Sequence, residues 1–523
     1  MRRIHTLVAA ALTAVVLLHA LCGSFLLIGT SRRPMVFLAW LAAALLGLHV
    51  TFSLVLTGQM WRSLRGRTCR YVRLNRDFWL RRISGLAVLV LLVFHIGMFG
   101  MTEDGTYFLL PFTAVRLAGH LLFMAAIAWH ISQSDTGKQL MTALIDAVRR
   151  YEAEGTVHRL NHHDFLTLLH DGPVCTGASL RDTWSGESCD LPAQAVIIAS
   201  GGLHGLFSCT TGSLADTGAV TAELFRLGLP VANGEFIQYH PTTIASNGKR
   251  MLVSEAARGE GGRLWVKKQG RPWYFMEEKY PELGNLMPRD VTAREIWYHC
   301  QAGETVWLDL TGLEEDIFFR KLSGLVADCL LYGGVDIRCQ PIAVAPGIHY
   351  FMGGLYVDEW HRTPWKHLYA AGECACQYHG ANRLGGNSLL GAIYGGRKAA
   401  CTAIEEGKER PLPRTGQPEL PPAALPPAGL ACLRQHLDRA LGVVRSGAVL
   451  AQALDSIAAL PGALPLLGQA LLQSAQGRQE SRGAHWRSDF PHRDDDRFLR
   501  TTLALYDGRR ITLSYRPVPE KRG

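Results

Sequence analysis

The stretch His379-Gly380-Ala381-Asn382-Arg383-Leu384-Gly385-Gly386-Asn387-Ser388-Leu389-Leu390 decides how this chain of 523 residues is read. Its glycine pair marks a Gly-rich turn. Upstream, the short apolar run Leu368–Ala371 stops at Gly372-Glu373, and the run Ala195–Ala199 stops at Ser200-Gly201-Gly202. Strands that end at glycine and meet a helix suit a parallel α/β sheet with its ligand at the strand carboxyl ends.

Working outward, four more clusters carry chemistry-bearing residues. They are Gln238-Tyr239-His240-Pro241-Thr242, the segment from Ser254-Glu255 through Arg258 to Gly262, Pro288-Arg289-Asp290, and His349 to Gly354. Arginine forks match carboxylates, and histidine can donate to the same groups. Gly-rich turns let backbone N–H groups approach an anion or a flat ring. A small dicarboxylate beside a flat cofactor fits this inventory. Taken singly, each cluster has an ordinary explanation in turns, surface ion pairs or a core histidine.

Composition sets the frame around them. Apolar residues make up 48% and charged ones 19%, which excludes a disordered chain. The net charge of +9 resides in residues 1–134, which hold Arg but no Lys and only Asp77, Glu103 and Asp104 as acids. Those arginines lie between apolar runs, so the basic balance points to no nucleic-acid partner. No C-x-x-C occurs, and Cys374-x-Cys376 is a poor match to metal or cluster signatures.

The apolar runs Thr6–Ile28, Val36–Leu56, Ile83–Met101 and Leu109–Ile131 approach or exceed the ~20 residues that span a bilayer core. They predict an N-terminal four-helix transmembrane bundle. The arginine-rich loop from Arg62 to Arg82 belongs in the cytoplasm by the positive-inside rule, and with it everything after Ile131. The expected location is thus the inner (cytoplasmic) membrane, multi-pass and in contact with lipid. His19, His49, His95, His120 and His130 lie in or at the ends of these runs, as candidate ligands of haem b or as hydrogen bonders between helices. Beyond them Gly137–Arg150 reads as an amphipathic helix, Arg410–Gly429 as a Pro- and Ala-rich linker, and Leu430–Gln479 as helical, followed by a polar tail.

Together and in this order, the clusters resemble the flavoprotein subunit of succinate dehydrogenase and fumarate reductase, with L-aspartate oxidase as a relative. The resemblance runs from about Asp135 to the end and includes Glu480-Ser481-Arg482-Gly483-Ala484-His485 and Asp489-Phe490-Pro491. It implies a dicarboxylate held by His240, His349 and Arg383 beside Ser254, and a proton relay of Arg289, Glu255 and Arg258. It also implies FAD held through Gly201, Gly202, Glu373 and Asn387, with the backbone of Ser388 and Leu389 at the flavin O2 edge. Quinone and an iron–sulfur subunit are the implied redox partners. Arg81-Arg82-Ile83-Ser84-Gly85 resembles a motif of the cytochrome b subunit of the same complex.

No G-x-G-x-x-G occurs to take the FAD pyrophosphate. The sequence therefore reads as a truncated cytochrome b subunit fused ahead of a flavoprotein without its first nucleotide-binding lobe. The expected fold is the transmembrane bundle (1–134), then an α/β FAD-dependent oxidoreductase and a C-terminal helical domain. The α/β part is an incomplete Rossmann-like FAD domain (135–240 and 351–409) with an inserted capping domain (241–350). The linker (410–429) leads to the helical domain and tail (430–523). Three functions compete: membrane-bound interconversion of succinate and fumarate, a non-catalytic fusion remnant, and an L-aspartate oxidase.

Overall fold

The computed structural model describes residues 41, 44, 45, 48, 99–101, 107–109, 122, 136–246, 248–407 and 424–518. The chain divides into two compact units, Met1–Asp146 with Glu314–Ser323, and Ala147–Leu313 with Gly324–Gly523.

In the first unit, β1 (Phe99–Met101) and β2 (Tyr107–Leu109) pair antiparallel, with Gly100 opposite Phe108. Extended pairing thus stands where the third expected span ends and the fourth begins. The rest of those spans, the arginine motif at Arg81 and the five candidate haem ligands His19, His49, His95, His120 and His130 lie outside the described residues.

Among the described residues, no helix is long and apolar enough to cross a membrane. The two longest show why. Helix α1 (Thr136–Ala153) carries Lys138, Asp146, Arg149 and Arg150, each of which is costly in hydrocarbon. Further along the chain, the helix Asn387–Gly407 carries Arg397, Lys398, Glu405 and Glu406. The expected transmembrane bundle and multi-pass location are corrected accordingly, and haem b, which rested on those spans, has no support.

The second unit opens with an antiparallel meander of β3 (His163–Asp171), β4 (Val174–Asp182) and β5 (Ser188–Pro192). Strand β6 (Val196–Ile198) follows, then α2 (Ala219–Arg226) and β7 (Val231–Ala232). Next come β8 (Ile237–Ser246), β9 (Lys249–Leu252), the single turn α3 (Ala256–Gly259), β10 (Arg263–Lys268) and β11 (Arg271–Trp273). Helix α4 (Arg289–Gln301), β12 (Val306–Asp309), β13 (Ile342–Phe351), β14 (Gly354–Tyr356), β15 (Leu368–Ala370) and β16 (Ala375–Cys376) lead to α5 (Asn387–Gly407).

An antiparallel six-stranded sheet in the order β11-β10-β12-β13-β8-β9 carries most of the site. Strands β8 and β13 are its best-buried members, which suits their Ile, Val, Tyr and Thr content. Two register shifts between them place Gly347 opposite His240 and Tyr350 opposite Gln238, so both strands bend where the histidines stand. Separately, β6 and β15 run parallel side by side, as the two glycine-terminated runs led one to expect. Gly353 closes the approach from β13 to β14; a Cβ there would lie 2.1 Å from the Asn233 carbonyl oxygen.

The C-terminal part is helical as far as α6 (Pro427–Ala440), α7 (Gly447–Ile457) and α8 (Ala463–Gly477). Leu433, Leu437, Leu450, Ile457, Leu467 and Leu471 from these helices join Phe207, Phe225, Ile237 and Phe351 in one core. The polar tail differs from expectation: β17 (Arg500–Tyr506) and β18 (Ile511–Pro517) form a hairpin that extends the sheet of β16, β14 and β7. Its turn is Asp507-Gly508, with Gly508 at φ +92° and the Asp507 carboxylate accepting from the Arg509 and Arg510 amides.

Candidate active site

Strand β8 delivers His240, fully buried, and β13 delivers His349, their ring centroids 5.2 Å apart in an edge-to-face arrangement. His240 Nδ1 faces the backbone of Thr242 and His349 Nδ1 lies 2.8 Å from Thr211 Oγ1. Burial pushes the His349 imidazole down to about 3, helped by the charges of Arg383 and Arg289. Burial, then His349 and the nearby arginines, hold His240 well below its ordinary value. Both rings are therefore neutral at neutral pH and act as hydrogen-bonding groups, leaving positive charge to the arginines.

Arg289 stands at the first position of α4, after the extended Pro288, and is buried. Its Nε and Nη2 donate to Glu255 Oε2 at 2.9 and 2.6 Å, and its Nη1 donates to Gln238 Oε1 at 3.2 Å. Arg258 Nη2 reaches the other carboxylate oxygen of Glu255 at 3.3 Å, and its Nη1 donates to the Asn285 carbonyl at 2.6 Å. Burial raises Glu255, but the hydrogen bonds and charge of Arg289, with Arg258 and Arg383, outweigh it and keep the carboxyl below its usual range. Burial pulls Arg258 down to about 10 despite Glu255.

Arg383, 4% exposed, lies with its guanidinium 4.5 Å from the Tyr350 ring centroid. The loop carrying it passes so close to the relay that a Cβ on Gly385 would sit 2.8 Å from Glu255 Oε2 and 2.9 Å from Arg289 Nη2. A Cβ there would press on the ends of those two side chains, at an ordinary dihedral. Arg383 Nε and His240 Nε2 are buried without a hydrogen-bond partner. Such buried polar atoms carry a desolvation cost, and at the Arg383 guanidinium an anion would relieve it. Ser254 turns toward its own chain, its Oγ accepting from the Ala256 amide at 3.3 Å.

At the carboxyl ends of β6 and β15, Gly201 adopts φ +77° and a Cβ on Gly202 would lie 2.8 Å from Glu373 Oε1. Glu373 Oε1 accepts the Phe351 amide at 2.9 Å and lies 3.3 Å from His204 Nε2. Asn387 is exposed, and Ser388 and Leu389 half-buried, in the first turn of α5, where backbone N–H groups lack helical partners. Close backbone approach, one carboxylate and an open helix start fit a flavin ring and its ribityl chain.

The geometry thus gathers His240, His349, Arg383, Arg289, Glu255 and Arg258 in one place, with Gly201, Gly202 and Glu373 in another. It adds residues that the sequence reading leaves without a role. Gln238 links Arg289 to the Arg383 loop, donating from Nε2 to Asn382 Oδ1 at 2.7 Å and to the Arg383 carbonyl at 2.8 Å. His204, buried, bridges Thr210 Oγ1 at 2.6 Å and Glu373. Tyr350 and Thr211 back Arg383 and His349. Gln238 and Tyr350 were visible within quoted motifs, whereas His204 and Thr211 carried no signal beyond neighbouring glycines.

The chain is similar to known proteins over much of its length. The FAD binding domain family matches residues 58–389, and the family described as fumarate reductase flavoprotein C-term matches residues 462–522. The succinate dehydrogenase flavoprotein subunit of Bacillus subtilis (strain 168) is 36% identical over 423 residues, 71% of this chain and 72% of that protein. An L-aspartate oxidase of Streptomyces coelicolor is 32% identical over 435 residues, 75% of this chain and 73% of that protein. A solved quinol-fumarate reductase with menaquinol molecules aligns with TM-score 0.61 at 25% identity, covering 81% of this chain and 82% of that one.

Proposed function

The chain belongs to the succinate dehydrogenase and fumarate reductase flavoprotein family, with its FAD-binding domain and C-terminal domain, and from that premise we propose that it interconverts succinate and fumarate. Quinone, reached through an iron–sulfur partner, is the proposed electron partner. The observation that carries the substrate class is the pair of unpartnered buried nitrogens, His240 Nε2 and Arg383 Nε, beside the Arg289–Glu255 pair.

Each proposed role follows from local chemistry. Arg383, backed by Tyr350, supplies the permanent positive charge for one carboxylate, and the neutral imidazoles of His240 and His349 complete the hydrogen bonds to the substrate. Bound FAD supplies the hydride acceptor and donor. Arg289 moves the proton at the substrate carbon. Its 2.6 Å contact with Glu255 gives the proton a path onward, and Arg258 keeps Glu255 ionised between turnovers. The same residues serve both directions. The proposed division of the chain places FAD on 135–240 and 351–409 and the capping part on 241–350.

The L-aspartate oxidase relatives support a second reading, in which the dicarboxylate carries an amino group. One experiment separates the readings. The purified protein is examined by absorption spectroscopy before and after dithionite, then reoxidised anaerobically with fumarate or, in the oxidised form, reduced with succinate or L-aspartate. A flavin band bleached by succinate and restored by fumarate is expected. Bleaching by L-aspartate alone would favour the oxidase, and absence of any flavin band would leave a non-catalytic remnant.

A further inference from the structure

The C-terminal motif Glu480-Ser481-Arg482-Gly483-Ala484-His485 takes no part in the chemistry above, yet it ends against the loop that carries Arg383. The Ala484 amide donates to the Ala381 carbonyl at 2.9 Å. Gly483, at φ +53°, packs so closely that a Cβ would lie 2.5 Å from the Ala381 carbonyl oxygen and 3.0 Å from the Ala381 Cβ. Ala484 also packs with Phe236, Tyr350, Met352 and Ala381. Tyr350 is the ring that backs the Arg383 guanidinium, so the tail braces both the loop and its stacking partner.

The brace is itself rigidly held. Arg482 and His485 exchange amide and carbonyl hydrogen bonds at 2.8 and 3.0 Å. His485, fully buried, contacts Arg445 Nη1 at 2.9 Å through Nδ1 and the Arg478 carbonyl at 3.1 Å through Nε2. Arg482 grips both oxygens of the buried Glu480 at 2.7 and 2.9 Å. From the opposite side, β8 holds the same loop through Gln238, which also fixes Arg289. A loop tied on both sides has few alternative conformations, and a bidentate carboxylate site needs that order.

We infer that Gly483 and Ala484 from the tail, together with Gln238 from β8, clamp the Ala381–Arg383 loop and so set the position of Arg383 for dicarboxylate binding. They are positioning residues and touch no substrate. The inference rests on the reading of Arg383 as a carboxylate ligand.

The test uses the full chain with Gly483→Ala, and in parallel Gln238→Met, which alters no tail residue and covers the case in which Gly483→Ala fails to fold. Amide hydrogen exchange of residues 381–386 and calorimetric affinity for malonate and acetate are measured in each. The expected result is at least tenfold faster exchange in that segment, with the six-stranded sheet unchanged. Malonate affinity should weaken at least tenfold more than acetate affinity. Unchanged exchange and unchanged malonate affinity in a folded variant would overturn the clamp. If the unaltered protein fails to bind malonate, the proposed function is in error, and the exchange comparison then decides the clamp alone.

Discussion

The two halves of the site are built on different terms. On the substrate side, His240, Arg289 and Arg383 are at most 8% exposed, and Arg289 is fixed by short contacts to Glu255 and Gln238. On the cofactor side, Leu384, Leu390 and Tyr394 are 75%, 66% and 53% exposed around the first turns of α5. The parallel pair of β6 and β15 takes no further strand among the described residues. The proposed dicarboxylate pocket is thus built into the protein's own fold. The surfaces proposed to take the flavin stay open to solvent. The contrast teaches that the two can fail independently.

The comparison can be broken most severely at Arg289. Arg289→Gln leaves a carboxylate but no proton donor, and kcat should fall by about 10³ to 10⁴ while malonate affinity stays within about threefold. Next comes the tail. Arg478, fully buried, donates to Glu235, Glu480, Thr502 and the Phe498 and Arg500 carbonyls. Arg478→Met strands buried carboxylates, and chemical denaturation should show a loss of about 3–5 kcal/mol. A smaller effect is expected from Arg383→Ala, which should weaken malonate binding about 10²-fold without altering flavin content.

Acid sharpens the same contrast. His349 is held down to about 3, and His240 and His485 well below their ordinary 6.5. Below about 6.5 the unfolded chain gains protons at these sites that the folded chain refuses. Stability should therefore fall as pH drops from 6.5 toward 3, and these groups should add nothing above 6.5; urea midpoints at pH 7 and pH 5 check this. The smallest effect belongs to the open side: Leu390→Asp should change stability by no more than about 0.5 kcal/mol, since its side chain already faces solvent.

Much of the substrate side was legible because its residues sit in compact motifs whose chemistry is local. His240, His349 and Arg383 stand out by type as groups that match carboxylates, Arg289 as a further arginine in a short motif, and Gly385 by its pairing with Gly386. The parallel strands at 196–198 and 368–370 were legible from apolar runs that stop at glycine. Gln238 was not, because its role is to join α4 to a loop far along the chain, and no periodicity encodes that contact. The tail hairpin was missed although Asp507-Gly508 between Leu503-Ala504-Leu505 and Ile511-Thr512-Leu513 is a turn signal; its polar residues masked the alternation. Hydropathy set the expected spans, and extended pairing at Phe99–Met101 shows that an apolar run does not specify a helix.

The bond from Ala484 to Ala381 also has a meaning in time. Ala484 is added to the growing chain roughly 5–20 s after Arg383 at a synthesis rate of about 5–20 residues per second. Until then the Arg383 loop lacks its second restraint, and Tyr350 lacks the packing of Ala484. The proposed carboxylate site is therefore among the last parts of the second unit to mature. A nascent chain exposes its folded sheet well before it presents a finished pocket.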